Sequence, residues 1–386
     1  MAMSSLVMSA PSTEPQTATA QPLRVMIAGG GTGGHLFPGI ALAERVVAAG
    51  GEVCFVGTDR GIEARVLPEQ GWPLERIEVT GIKGRGIKGL LTGLLRLPRA
   101  WLQSRAIIRD FAPDVVVGVG GYASGPIVAT AWSMGRATAI LEQNSVPGIT
   151  NRILGRLVRR VFATFPDARG DFPAHKLVLA GNPIRAALLE RLERARSDAE
   201  ADQARGRAPR LLVFGGSQGA RAINRAMVQS IAALMEAVPE LEVWHQTGER
   251  ELDEVREGYA AAGVDEARVR VAPFIKDMGE AYAWCDLALC RAGATSLAEL
   301  AAVGCPAVLI PFPHATDDHQ THNAASLVAA GGAVMIPQSE LDDARLVDTL
   351  GALMADPARL SAMRQGMLSA ARPQAASTIY AALAEL

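Results

Sequence analysis

Twice in each half of the chain an apolar run breaks into glycines and then resumes with helical spacing. Leu23-Arg-Val-Met-Ile-Ala28 drops into Gly29-Gly-Gly-Thr-Gly-Gly-His35. Ile40, Ala43, Val46 and Val47 then share a helical face before the next β-like run, Glu52-Val-Cys-Phe-Val-Gly57. Asp114-Val-Val-Val-Gly118 enters Gly120-Gly-Tyr-Ala-Ser-Gly125 in the same way. In the second half Arg210-Leu-Leu-Val-Phe214 enters Gly215-Gly-Ser-Gln-Gly219, and Asp286-Leu-Ala-Leu-Cys290 enters Arg291-Ala-Gly-Ala-Thr295. Strand, glycine turn, helix, strand is the unit of a parallel sheet. Recurring in the same order, these units predict two doubly wound α/β domains facing a crevice rather than a short-period repeat array. The predicted division is a tail over 1–22, a first domain over 23–186, a second over 187–372, and a last helix over 373–386 folding back onto the first. The linker is expected after Gly181-Asn-Pro-Ile-Arg185, with residues 195–209 as a solvated helix end or loop.

A chain of 386 residues with 49% hydrophobic and 20% charged side chains has enough apolar surface for real cores, which excludes a wholly disordered protein. Its net charge of −2 excludes a wholesale nucleic-acid binder. The charge is split, however: residues 22–186 carry 20 Lys and Arg against 12 Asp and Glu, and residues 187–386 carry 18 against 27. A basic half and an acidic half suit different partners. Cys54, Cys285, Cys290 and Cys305 form no C-x-x-C pair and sit in apolar contexts, as expected of reduced, buried thiols in a cytosolic protein. No apolar run is long enough to span a membrane. Residues 1–21 lack a basic start and an apolar stretch, and read as a disordered tail rather than a signal peptide.

A loop that hands a strand to a helix presents unpaired N–H groups and the positive end of the helix dipole, and glycine lets a phosphate approach them. Gly29, Gly31 and Gly34 satisfy G-x-G-x-x-G, with Asp59 downstream for a ribose, so an NAD-dependent oxidoreductase is one reading. It leaves three further glycine loops without a role, and His35 is no part of that fingerprint. A phosphate-bearing ligand lying between the two domains accounts for all four loops.

The ordered motifs Gly30-Gly-Thr-Gly-Gly-His35, Gly120-Gly-Tyr-Ala-Ser-Gly125, Glu142-Gln-Asn144, Gly181-Asn-Pro-Ile-Arg185, Gly215-Gly-Ser-Gln-Gly-Ala220 and Arg291-Ala-Gly-Ala-Thr-Ser-Leu-Ala-Glu299 resemble those of the MurG family, the bacterial peptidoglycan glycosyltransferases of the GT-B class. The resemblance runs from about Leu23 to the end. It implies two Rossmann-like domains separated by a cleft, the first facing acceptor and membrane and the second holding the sugar nucleotide. The implied reaction moves N-acetylglucosamine from UDP-GlcNAc to the C4 hydroxyl of the muramoyl sugar of lipid I, giving lipid II and UDP. It takes place at the cytoplasmic face of the inner membrane, on a peripherally bound enzyme that meets an anionic surface and the proteins of cell-wall synthesis and division. No nucleic acid and no cofactor enter.

Inverting glycosyl transfer needs a base for the attacking hydroxyl, stabilisation of the departing diphosphate, and alignment of both substrates. The chain contains no Asp-x-Asp, the pair that commonly holds a cation on the diphosphate, so main-chain amides assisted by Ser217 are expected to do that work without a metal. By resemblance, Ile275 reads the uracil edge through its backbone, and the stretch Ala294, Thr295, Ser296, Leu297, Ala298 and Glu299 starts a helix facing the phosphates. Glu299, grouped with His35 as catalytic, holds the ribose hydroxyls, and Gln320 contacts the transferred sugar. Thr32, Gly33, Gly34, Asn144 and Arg185 complete the substrate-binding set. His35 is a candidate general base, or a helix-start histidine that binds acceptor phosphate without moving a proton.

The cluster His314, Asp317, Asp318, His319 and His322 has a spacing that could support a metal site, although it reads first as a polar loop before a helix and is about one residue longer than in some relatives. Residues 81–101 mix Ile87, Leu90, Leu91, Leu94, Leu95, Leu97 and Trp101 with Lys83, Arg85, Lys88, Arg96 and Arg99, a composition for docking on anionic headgroups. Three readings remain beside the main one: the NAD-dependent oxidoreductase, a transferase acting on another glycolipid or small-molecule acceptor, and a catalytically silent sugar-nucleotide or lipid-binding protein.

Overall fold

The computed structural model describes residues 22–59, 61–79, 86–167, 169–203, 207–216 and 219–386, with the backbone alone for 86–97 and 195–203. The expected tail over 1–21, residues 81–85 of the basic apolar stretch, and Ser217 therefore lie outside the described residues, as do the side chains of 86–97.

The short aliphatic runs become strands because they are buried on both faces, as a parallel sheet requires. The first sheet holds β1 (Arg24–Gly29), β2 (Glu52–Gly57), β3 (Leu74–Arg76), β4 (Val115–Gly120), β5 (Ala137–Glu142), β6 (Arg160–Ala163) and β7 (Leu177–Leu179). The second holds β8 (Arg210–Phe214), β9 (Glu242–Gln246), β10 (Val269–Ala272), β11 (Leu287–Cys290), β12 (Ala307–Leu309) and β13 (Ala333–Met335). Every pairing is parallel. Between them run α1 (Gly33–Ala48), α2 (Glu63–Glu69), α3 (Gly86–Phe111), α4 (Ser124–Ser133), α5 (Ile149–Leu157), α6 (Ala186–Gln203) and α7 (Arg221–Ala237). The chain continues through α8 (Leu252–Ala261), α9 (Met278–Trp284), α10 (Ala294–Val303), α11 (His319–Ala329), α12 (Asp343–Met354), α13 (Pro357–Ala370) and α14 (Ala375–Ala384).

Strand order places the site. The sheets run β3-β2-β1-β4-β5-β6-β7 and β10-β9-β8-β11-β12-β13. In each, the order reverses between two adjacent strands, β1 and β4 in the first and β8 and β11 in the second. The four glycine loops leave those four strands. Each sheet therefore opens a crevice at its switch point, where open α/β sheets take their ligands.

Val25, Met26, Ile27 and Ala28 of β1 are completely buried, and each large aliphatic contributes about 1.5–3 kcal/mol over leaving it in water. Ile379 and Leu383 of α14 belong to the core of the first sheet, and Arg45 on α1 lies 4.8 Å from the Tyr380 ring centroid. The two chain crossings touch: a Cβ on Gly181, whose φ is +89°, would lie 2.3 Å from Cβ of Arg372.

In the second sheet, His245 is fully buried between Tyr259 Oη at 2.8 Å and Asn224 Oδ1 at 3.1 Å. Burial lowers its pKa to about 3. The unfolded chain takes up this proton near pH 6.5, whereas the folded one resists until about 3. Stability from this group is therefore full above pH 6.5 and is lost as pH falls toward 3. Thermal melts over that range should flatten in His245→Gln relative to the parent protein.

Candidate active site

The two crevices face each other across one cavity of about 880 Å³. Thr32, Gly33, Gly34, His35, Asn144 and Arg185 line its first-domain side. Ile275, Ala294, Thr295, Ser296, Glu299 and Gln320 line the other. Leu297 and Ala298 do not reach it. Leu297 is fully buried in the core, and both residues line a separate cavity of about 430 Å³ behind α10. A helix turns about 100° per residue, so a run of six consecutive residues cannot present one face.

The first glycine loop is braced from beneath. The Glu63 carboxylate accepts from Gly31 N–H at 2.6 Å with one oxygen, and from Thr58 N–H and Oγ1–H at 3.0 and 2.9 Å with the other. A Cβ on Gly30 would lie 2.5 Å from this carboxylate. The N–H that a dinucleotide diphosphate would use is thus already bound to an acceptor. Asp59, the expected ribose partner of that reading, instead meets exposed Arg76 at 3.5 Å. The G-x-G-x-x-G spacing here builds a turn around a buried glutamate, which removes the oxidoreductase reading.

Three consecutive residues at the end of β5 have three tasks. Buried Glu142 accepts from Asn144 N–H at 2.9 Å and from Asn151 Nδ2 at 2.8 Å, and burial raises its pKa. Gln143 Nε2 donates to Val119 O at 3.1 Å, with its Oε1 at 3.0 Å from His35 Nδ1. Asn144 Oδ1 accepts from Asn323 Nδ2 at 3.3 Å. Asn323, on α11 and fully buried, also accepts from Ser145 N–H at 2.8 Å and donates to Ala292 O at 3.2 Å. One side chain therefore pins β5 of the first domain to the β11 exit of the second.

His35 stands at the third position of α1, with its ring against Gly120. Burial lowers its pKa; the Gln143 contact opposes this, and His319 across the cleft reinforces it. Glu299 Oε2 accepts from Tyr282 Oη–H at 2.9 Å, and burial raises the carboxyl to about 7 despite this bond and the charge of Arg185. Ile275 N–H donates to Gln246 Oε1 at 2.8 Å while Gln246 Nε2 donates to Gly216 O at 2.9 Å, which ties the Ile275 loop to the third glycine loop. Gln320 Oε1 accepts from Phe312 N–H at 3.0 Å. The turn before α11 carries Asp317 and Asp318 at φ of +53° and +54°, and Asp317 meets Arg152 of the first domain at 3.5 Å. His319 Nδ1 contacts Thr316 O at 2.8 Å. Among the described residues, no three His, Cys, Asp or Glu side chains converge on a common point that could hold an ion.

Residues 25–163 match the glycosyltransferase family 28 N-terminal domain, and residues 210–379 match the family 28 C-terminal domain. A Myxococcus xanthus protein named UDP-N-acetylglucosamine–N-acetylmuramyl-(pentapeptide) pyrophosphoryl-undecaprenol N-acetylglucosamine transferase is 50% identical over 359 residues, 92% of this chain and 91% of its own length. One of the same name from Anaeromyxobacter dehalogenans is 50% identical over 366 residues, 94% and 93%. The crystal structure of Acinetobacter baumannii MurG shares 30% identity and a TM-score of 0.76, over 95% of this chain and 100% of that one. The chain belongs to the MurG family. Its architecture is GT-B: two Rossmann-like domains with a cleft between them.

Several residues that build or support the cleft of this MurG-family chain had no signal in sequence alone. Glu63 reaches Gly31 because β2 lies beside β1, and Tyr282 reaches Glu299 because α9 packs on α10. Gln143 and Gln246 did have one: each is a polar residue at the end of an apolar strand run, where the chain meets the crevice.

Proposed function

We propose that this protein is the inverting glycosyltransferase that moves N-acetylglucosamine from UDP-GlcNAc to the C4 hydroxyl of the muramoyl sugar of undecaprenyl-diphosphate-linked acceptor, lipid I, releasing UDP and lipid II. The observation that carries this reading is the single cavity in which two switch-point crevices meet, with a neutral-leaning histidine on one wall and a helix start, the Ile275 loop and a carboxylate on the other. Residues 23–186 take the acceptor, residues 187–372 take the donor, and residues 373–386 return to the first domain.

His35 Nε2 takes the proton as the C4 oxygen attacks the anomeric carbon from the face opposite the diphosphate. The bond from that carbon to the diphosphate oxygen breaks, and UDP leaves with the electron pair. Leu297 N–H bonds Gly293 O at 3.0 Å, so the amides of 294–296 precede the first intrahelical bond of α10 and are available to the diphosphate. Ser217 assists there. Ile275 N–H is held by Gln246, which leaves its carbonyl to accept from a uracil N–H. Glu299 takes the ribose hydroxyls, Gln320 the transferred sugar, and Thr32, Gly33, Gly34, Asn144 and Arg185 the remaining polar groups. The test is UDP release from UDP-GlcNAc with and without a lipid I analogue, with the product weighed. Release that depends on the analogue, with a product heavier by one N-acetylhexosamine, is expected. Acceptor-independent release, or transfer to other glycolipids only, would count against it.

No described helix is long and apolar enough to cross a membrane. Trp101 and Leu102 on α3, Trp132 on α4, and Ile149 and Ile153 on α5 are all exposed, and α4 packs against both neighbours. Arg105 lies 5.4 Å from the Trp101 ring. These exposed apolar residues, which follow the basic apolar stretch in sequence, support peripheral docking on the anionic cytoplasmic leaflet beside the lipid-linked acceptor. Leu102→Glu with Ile153→Glu should cut binding to phosphatidylglycerol vesicles at least tenfold in sedimentation. The parent protein's binding should weaken with salt, and neutral vesicles binding as well as anionic ones would contradict the assignment.

A further inference from the structure

A histidine can serve as a base only through a ring nitrogen that carries no proton, and the partner of the other nitrogen decides which one that is. Here the partner is itself constrained. The Val119 carbonyl can only accept, so the Gln143 amide nitrogen, 3.1 Å away, must face it. That leaves Gln143 Oε1, also only an acceptor, 3.0 Å from His35 Nδ1. A proton on Nδ1 satisfies this contact; a lone pair there would face another lone pair. The ring has little freedom to evade the constraint, because a Cβ on Gly120 would lie 2.6 Å from Nδ1 and 2.8 Å from Cε1. Gln143 is buried, and β5 and β4 pair side by side, so the chain Val119 carbonyl, Gln143 amide, His35 imidazole is set by the sheet itself.

We propose that Gln143 is a positioning residue that holds His35 in the Nδ1–H tautomer and keeps the Nε2 lone pair free for the acceptor hydroxyl. This rests on His35 acting as the base. Gln143 moves no proton itself, and it gives Gly120 a second purpose, which is to admit the imidazole face.

The test begins with the unaltered protein. Long-range nitrogen–proton NMR of ¹⁵N-histidine-labelled protein, with the His35 signals identified by their loss in His35→Ala, should show a protonated Nδ1 and a bare Nε2. In Gln143→Met, which keeps the length and apolar bulk but neither hydrogen bond, that signature should shift toward a mixture. The kcat should fall tenfold or more, while KM for UDP-GlcNAc stays within twofold. An Nε2–H tautomer in the unaltered protein overturns the proposal whether or not the variant folds. A folded Gln143→Met with kcat within twofold of the parent overturns it too. If His35→Ala keeps near-normal kcat, the base reading itself fails; if His35→Ala is inactive and Gln143→Met is normal, only the role of Gln143 fails.

Discussion

Replacing His35 with Ala should lower kcat by about two to four orders of magnitude, the range over which a positioned general base acts. Donor KM should change little, because the imidazole lies on the first-domain wall of the cavity while Ile275, α10 and Glu299 are on the other. Burial keeps His35 below its ordinary pKa, so at neutral pH it is the unprotonated ring a base requires. The same shift makes it a poor cation for holding phosphate, which favours the base over the other role left open by sequence. A kcat/KM measured against lipid I concentration checks this. An Ala variant with near-normal kcat and only a raised acceptor KM would assign the ring to phosphate binding instead.

Glu299→Gln should raise KM for UDP-GlcNAc by about ten- to a hundredfold, with a smaller effect on kcat. A buried carboxylate that accepts ribose hydroxyls is worth about 1.5–3 kcal/mol as charged hydrogen bonds. The pH dependence gives a sharper signature. Burial raises this carboxyl to about 7, so it is ionised above that pH and protonated below it. Donor KM should therefore be flat above about pH 8 and rise by up to about tenfold as pH falls to 6, as the accepting carboxylate is titrated away. The Gln variant should show a high donor KM with no such rise. Initial rates at varied UDP-GlcNAc between pH 6 and 9 give both readings, and a parent enzyme whose donor KM is level across that range would remove Glu299 from the ribose.

The architecture was legible because it is written locally. A strand buried on both faces is a short aliphatic run, and the turn at its end shows as glycine, so β1, β4, β8 and β11 and their four loops could be read from neighbouring residues. Their meeting in one cleft followed from the switch-point rule for such sheets. What could not be read is what the sheet order brings together. Glu63 lies 32 residues from the Gly31 amide it holds, and Asn323 lies 178 from the Ser145 amide. No spacing in the sequence marks either pair. The G-x-G-x-x-G match misleads for the same reason, since its spacing is silent about the carboxylate that fills the turn from a neighbouring element. One misplacement was avoidable. The helical period of α10 already sends Leu297 away from the face that carries Ala294, Thr295, Ser296 and Glu299, whereas Ala298 shares the azimuth of Ala294 and its place in the neighbouring cavity could not be read from the period.

The claim underlying the mechanism is that the departing diphosphate is held by main-chain amides at the start of α10 and in the glycine loops of the second domain. The rate of lipid I-dependent UDP release, measured on metal-stripped protein in EDTA and again after adding excess Mg²⁺ or Mn²⁺, tests it most directly. Equal rates within about twofold are predicted. Release that is abolished by the chelator and restored by a divalent cation would contradict it.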